Sequence, residues 1–109
     1  MIPLIRMYTD EGVVEAASRV LRSGRYISGP ENEAFQEEFA RFVGTEHAVT
    51  VSSGTAALHL AFRALGVRPG AEGVMPSHTF IATAEPVLHM GARAVFVDID
   101  PVTYTVDPE

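Results

Sequence analysis

The sequence of 109 residues contains no cysteine, no tryptophan and no lysine. Without cysteine, the chain forms no disulfide, no thiolate metal site and no cysteine nucleophile. Without lysine, it offers no side-chain amine that could form a Schiff base with an aldehyde or a ketone. The basic residues are all arginine, namely Arg6, Arg19, Arg22, Arg25, Arg41, Arg63, Arg68 and Arg93. Schiff-base chemistry by a side chain of this polypeptide alone is therefore excluded.

Positive charge is also scarce. Eight arginines stand against fourteen acidic residues, which gives a formal net charge of -6. Such acidity disfavours nucleic acid or an anionic membrane surface as a partner, although one small anion can still bind at a local site. No apolar run approaches the roughly 20 residues of a membrane helix, and residues 1–10 lack the apolar centre of a signal peptide. We expect a cytoplasmic protein that binds neither membranes nor nucleic acid.

Two helices are predicted in the first 45 residues. Thr9 and Asp10 are typical of a helix start, and Gly24 follows the last apolar residues of that periodic segment. Pro30 suits the first position of a second helix, because its missing N–H would have no partner there. Gly44 is expected to end this second helix.

From His47 onward the pattern alternates between short β-branched runs and helical runs. Strands are predicted at "HAVTVS", "VMPS" and "ARAVFVDI", with helices at "TAALHLAFRAL" and "TFIATAEPVLHM" between them. Pro86 interrupts the latter helix and predicts a kink or a late start. The fold class is therefore α/β, with two N-terminal helices followed by a β-α-β-α-β unit and a parallel sheet. An irregular exit is expected over "DPVTYTVDPE".

The sharpest motif is Ser53-Gly54-Thr55-Ala56, where the first predicted strand passes directly into a helix. A helix N-terminus has unpaired N–H groups and a partial positive charge, so it can hold a phosphate. Gly54 lets the backbone approach the ligand closely, Thr55 adds a hydroxyl, and Ala56 adds an N–H from the first turn. An ordinary N-cap without any ligand explains the same residues equally well.

A second candidate follows the next predicted strand, in "PSHTFIATAEPV". Ligands of open parallel sheets gather at the carboxyl ends of the strands. Phe80 is expected near the Ser-Gly-Thr turn, where its ring could stack on a flat ligand; the alternative is an ordinary core phenylalanine.

Taken together and in order, these segments resemble the N-terminal part of the DegT/DnrJ/EryC1/StrS sugar aminotransferase family. The matching pieces include "LRSGRYISGP", "FQEEFARFVGTEHAV", "VSSGTAALHLA", "PSHTFIATA" and "GARAVFVDIDPVTYTVDP". The resemblance implies a fold of the aspartate-aminotransferase type and pyridoxal phosphate (PLP) as the cofactor. Gly73 departs from the family, which has an aliphatic strand residue there, and Glu85 replaces a frequent asparagine.

The resemblance also implies roles for individual residues. Gly54, Thr55 and Ala56 would bind the PLP phosphate, and Phe80 would stack on the cofactor ring. Tyr26 and Gly29 lie in a loop that resembles a segment at the substrate entrance, which is often contributed to a partner subunit's site. Asp98 and Asp100 are interpreted as turn and capping residues, because the family's pyridine-binding aspartate comes later in the chain. No catalytic residue and no metal ligand is assigned.

Three hypotheses about function remain open. In the first, the chain is the N-terminal segment of a PLP-dependent aminotransferase of nucleotide-sugar keto groups, inactive alone because the family's Schiff-base lysine follows residue 109. In the second, it is a non-enzymatic module that binds phosphate or nucleotide sugars, and in the third a self-associating relic. The expected organisation is one incomplete large domain, with a helical arm over 1–45 and the first β-α-β-α-β part over 46–109. Bare strand edges favour a homo-oligomer or association with a complementary chain.

Overall fold

A computed structural model describes residues 2–107. Within these residues, the chain divides after Thr50 into two compact units. Each unit is described by itself.

The first unit consists of two helices, α1 (Glu11–Ser23) and α2 (Pro30–Val43). α1 begins at the N-cap Asp10, whose side chain accepts a hydrogen bond from the Val13 N–H, and it ends at Gly24 in the left-handed conformation. In α2, Pro30 occupies the first turn and Gly44 ends the helix with φ 82°. The predicted boundaries of both helices are confirmed.

The α2 helix carries a row of three phenylalanines and a glutamine that binds the backbone shortly after the helix. The ring centroids of Phe35 and Phe39 lie 5.7 Å apart, and those of Phe39 and Phe42 lie 6.5 Å apart. Gln36 accepts hydrogen bonds from the backbone N–H of Thr50 at 2.9 Å and from its hydroxyl at 3.2 Å. These bonds hold residue 50 against the helix.

The second unit contains α3 (Gly54–Ala64), strand β1 (Glu72–Pro76), a 3₁₀ turn (Ile81–Thr83), the short helix α4 (Glu85–His89) and strand β2 (Arg93–Val97). β1 and β2 pair in parallel, with Glu72 opposite Arg93 and Pro76 opposite Val97. A kink or a late start of the interrupted helix was expected at Pro86. The late start is confirmed, because Pro86 lies in the first turn of α4.

The core of this unit lies where α4 and the strands meet. Its members are the buried residues Met75, Ala84, Val87 and Ala92, with Phe62, Val67, Ala71 and Ala94 packed against them. Gly73 is part of this contact, because a Cβ built on it would lie 2.9 Å from Cγ2 of Val87. The missing side chain of Gly73 therefore lets α4 approach β1 closely.

The structure corrects the prediction of the first strand. Residues 47–52 form no strand in the structure, so the β-α-β-α-β prediction is wrong in its first element. Within residues 2–107, β1 and β2 pair only with each other, and the Thr50 N–H bonds to the Gln36 side chain instead of a neighbouring strand. Val49 remains 78% exposed. A β-branched run without a ladder partner does not become a strand.

The irregular exit is confirmed for residues 100–107; residues 108 and 109 lie outside the described part. The carboxylate of Asp100 accepts hydrogen bonds from the backbone N–H groups of Val102 and Thr103, at 2.8 Å and 2.7 Å. These bonds lower the pKa of Asp100 below its ordinary value of 3.8. An isolated antiparallel bridge joins Ile99 to Val106. The interpretation of Asp100 as a turn residue is thereby confirmed.

Candidate functional site

The candidate phosphate site begins with the cap of α3. Ser53 has extended backbone angles of φ -164° and ψ 163°, and its side chain caps the helix. Its Oγ accepts a hydrogen bond from the Ala56 N–H at 3.1 Å, and its carbonyl accepts one from the Ala57 N–H at 3.0 Å. The Ala57 bond is the first regular bond of the helix, so the Ser53 side chain engages one of the four N–H groups that a helix start leaves unpaired, that of Ala56. The N-cap that the sequence offered as the alternative to a ligand is therefore present at Ser53.

Two of the other donors at this helix start belong to Gly54 and Thr55, the first residues of α3. Among residues 2–107, the structure gives no hydrogen-bond partner to either backbone N–H group or to the Thr55 hydroxyl. A Cβ built on Gly54 would meet nothing within 4 Å, so the space beside these donors is open. The first turn of α3 has no acidic residue, and the dipole of the helix favours an anion at this end. The arrangement can accept a phosphate through two backbone donors and one hydroxyl.

Phe80 lies just before the 3₁₀ turn, as its N-cap residue. That turn contacts α3. The Phe80 ring is 75% exposed, and among the described residues it forms no pair with another ring. The core interpretation of Phe80 is therefore wrong for this structure, and the ring remains available for stacking on a ligand.

Tyr26 and Gly29 belong to the first unit, in the loop between α1 and α2. The Tyr26 hydroxyl donates to the Leu21 carbonyl at 3.1 Å, and Gly29 is the N-cap residue of α2. Both line a small cavity of about 150 Å³, together with Arg19, Val20, Ser23, Arg25, Pro30, Glu31 and Asn32. Arg19 forms an exposed ion pair with Glu31 at 3.4 Å. The loop therefore borders a small cavity whose lining includes the two arginines Arg19 and Arg25. The substrate role of Tyr26 and Gly29 stays a prediction.

One feature of the second unit was not predicted. His59 of α3 and His89 of α4 face each other with ring centroids 6.3 Å apart and ring planes tilted by 58°. The two histidines are far apart in sequence and only the packing of the helices brings them together, so no local motif could have revealed the pair.

A model of the DegT/DnrJ/EryC1/StrS aminotransferase family matches residues 8–109. The chain belongs to this family. A member from Pseudomonas aeruginosa, named UDP-2-acetamido-2-deoxy-3-oxo-D-glucuronate aminotransferase, is 48% identical over 84% of this chain and 25% of its own length. Among solved structures, DesV from Streptomyces venezuelae, in complex with a ketimine intermediate, aligns with a TM-score of 0.80 and 49% identity, over 87% of this chain and 26% of that one. NtdA from Bacillus subtilis, with bound PMP, aligns with a TM-score of 0.80 and 36% identity, over 87% and 22%.

The comparisons also show how much of the family's architecture this chain contains. The chain spans about a quarter of the length of the relatives it matches. The family and its structural neighbours are PLP- or PMP-dependent aminotransferases. The recognition of the family and of its cofactor from sequence is confirmed.

The residues at the start of α3 fit the phosphate end of this cofactor. Two unpaired N–H groups, an open approach over Gly54 and the Thr55 hydroxyl provide the donors that a phosphate ester requires. The Ala56 N–H would contribute only if the Ser53 hydroxyl turned away from it. When bound, PLP supplies the electron sink for reactions at an amine-bearing carbon. This chain has no lysine and therefore provides no side-chain amine for the aldehyde.

Proposed function

We propose that the chain is the N-terminal segment of a PLP-dependent aminotransferase that acts on the keto group of a nucleotide sugar. In this proposal, Gly54 and Thr55 hold the cofactor phosphate and Phe80 stacks on its ring. The observation that carries the proposal is the pair of unpaired N–H groups at the carboxylate-free start of α3, in a chain of a PLP-dependent family. The cytoplasm remains the expected compartment.

The same proposal makes the chain inactive by itself. A Schiff base with a lysine both anchors the cofactor aldehyde and positions an amine for proton transfer. No lysine is present among the 109 residues. The amine must therefore come from another polypeptide segment, which also completes the incomplete large domain.

The surface of the second unit supports this need for a partner. Val74 in β1 is 60% exposed and Phe96 in β2 is 56% exposed, although both are strand residues. A two-stranded sheet with bare apolar side chains is rarely stable alone. Association with a complementary chain, or with further copies of this chain, would cover these side chains.

A chimera tests the proposal. This chain replaces the matching residues of the Pseudomonas aeruginosa relative, and the rest of that relative supplies the segment in which the family resemblance implies the Schiff-base lysine. We expect the chimera to bind PLP and to aminate its keto-sugar substrate, and Gly54→Ala in the chimera to weaken PLP binding without unfolding it, because the new Cβ meets no protein atom. A folded chimera that binds no PLP would contradict the proposal.

The non-enzymatic alternative uses the same donors of α3 and is tested with the unmodified chain. Calorimetry with a nucleotide sugar, in the absence of PLP, measures whether the chain binds such a ligand alone. Binding that persists in Gly54→Ala would place the nucleotide sugar elsewhere than at α3.

A further inference from the structure

His59 and His89 form an inter-helix pair that the proposed aminotransferase function does not use. His59 is half-buried on α3, whereas His89 is exposed and is the last residue of α4. The helices that carry them pack against each other within the second unit. Their ring centroids are 6.3 Å apart, so neither ring is stacked flat on the other.

This separation is compatible with one metal ion between the rings. Zn–N bonds of about 2.0–2.1 Å, added to the radius of an imidazole ring, put the metal about 3.2 Å from each centroid. The centroids of two rings that bind one ion can therefore lie up to about 6.4 Å apart, when the ion lies on the line between them. With a tetrahedral angle at the ion, the centroid distance would be about 1 Å shorter than the observed one. Because His89 is exposed, a small rotation of its side chain can provide this shift.

We propose that His59 and His89 bind one divalent transition-metal ion of the zinc, nickel or copper type. Imidazole nitrogen suits these ions, and the net charge of -6 favours a cation over an anion. Among residues 2–107, no group of three His, Cys, Asp or Glu side chains is arranged to hold a metal. Water therefore fills the remaining coordination positions, and the site is an open one.

The chain contains its own matched controls, because it has four histidines. His47 and His78 form no pair with another imidazole in the described structure. His47 lies beside the Glu46 carboxylate at 3.5 Å, so it tests whether one histidine next to a carboxylate binds the ion without a second imidazole.

The test is a titration of the chain with Zn²⁺, followed by the imidazole proton resonances in NMR and by calorimetry. The four resonances are assigned with single His→Ala variants. We expect the signals of His59 and His89 to change together and to saturate at one Zn²⁺ per chain, while those of His47 and His78 stay in place. His59→Ala and His89→Ala should each weaken binding by at least about tenfold, and the double variant His47→Ala/His78→Ala should bind as the parent does.

Two results would overturn the proposal. The first is that the resonances of all four histidines respond equally to Zn²⁺, or that the control variant loses as much affinity as His59→Ala and His89→Ala. Either outcome would mean that the ion binds at scattered surface positions. The other is the absence of Zn²⁺ uptake by a chain whose circular dichroism shows it folded. The midpoint of thermal unfolding measured with and without Zn²⁺ tests binding independently. An ion that binds the native state raises this midpoint, whereas an ion that binds the unfolded chain lowers it.

Discussion

Gly73→Ala is the most direct perturbation of the packing between α4 and β1. The added Cβ would lie 2.9 Å from Cγ2 and 3.1 Å from Cγ1 of Val87, and 3.4 Å from Cε of Met75. Val87 and Met75 are only 3% and 4% exposed, so neither side chain can move into solvent. Gly73 does not have a positive φ, and the expected effect is therefore steric overlap with no contribution from backbone strain.

Overpacking of this kind costs about 1–3 kcal/mol. For a domain of this size, each kcal/mol lowers the thermal midpoint by roughly 4–8 °C. Thermal and urea unfolding, followed by far-UV circular dichroism, measure both quantities. The double variant Gly73→Ala/Val87→Ala removes the two atoms that collide, and we expect a favourable coupling of about 0.5–3 kcal/mol between the two substitutions.

Gly54→Ala is the matched control, because the same change at the start of α3 meets no atom within 4 Å. It should leave the free energy of unfolding unchanged or raise it by up to about 1 kcal/mol, as alanine replaces glycine in a helix. If Gly73→Ala were as stable as the parent, or if Val87→Ala gave no rescue, the close approach of α4 to β1 would be refuted.

Three further substitutions test local features. Hydrogen bonds from the Val13 N–H and the Tyr8 hydroxyl lower the pKa of Asp10 below 3.8. The Asp10 carboxylate therefore stabilises α1 above pH 3.8, and this stabilisation is lost as the pH falls through the lower pKa of the folded state. Asp10→Asn should remove this acid transition from the circular dichroism. Ser53→Ala should destabilise α3 by about 1 kcal/mol in urea unfolding, and no loss would mean that the cap contributes nothing. Glu72→Gln weakens an exposed ion pair with Arg93, and a double-mutant cycle should give less than about 1 kcal/mol.

Local signals in the sequence predicted the helices well. Asp10, Gly24 and Gly44 cap α1 and α2 as expected, because capping depends on a few neighbouring residues. The late start of α4 at Pro86 follows equally from the chemistry of one residue. These features need no information about distant parts of the chain.

The features that the sequence predicted wrongly or did not reveal depend on distant partners. Residues 47–52 have the composition of a strand, but a strand also needs a neighbour, and Thr50 bonds to Gln36 instead. Phe80 was predicted beside the candidate site, yet its exposure could not be derived from its neighbours in sequence. The pairing of His59 with His89 likewise follows from helix packing alone.

The sequence indicated what type of ligand the candidate site could bind, but not which of its N–H groups form hydrogen bonds within the chain. The Ser-Gly-Thr turn indicated an anion-binding helix start from the residue types alone. The structure adds that the Ala56 N–H is occupied by the Ser53 hydroxyl, which leaves Gly54 and Thr55 as the available donors. Which N–H groups a cap occupies depends on a side-chain rotation that the sequence does not specify.

The account depends most on phosphate binding at the start of α3, and calorimetry with pyridoxamine phosphate tests it directly. This ligand carries the phosphate but no aldehyde, so it cannot react with the N-terminal amine. We expect one site per chain, from which inorganic phosphate displaces the ligand. Binding should be weaker in Gly54→Ala, and pyridoxamine without its phosphate should not bind. Equal binding of pyridoxamine, or unchanged binding by a folded Gly54→Ala variant, would contradict the account.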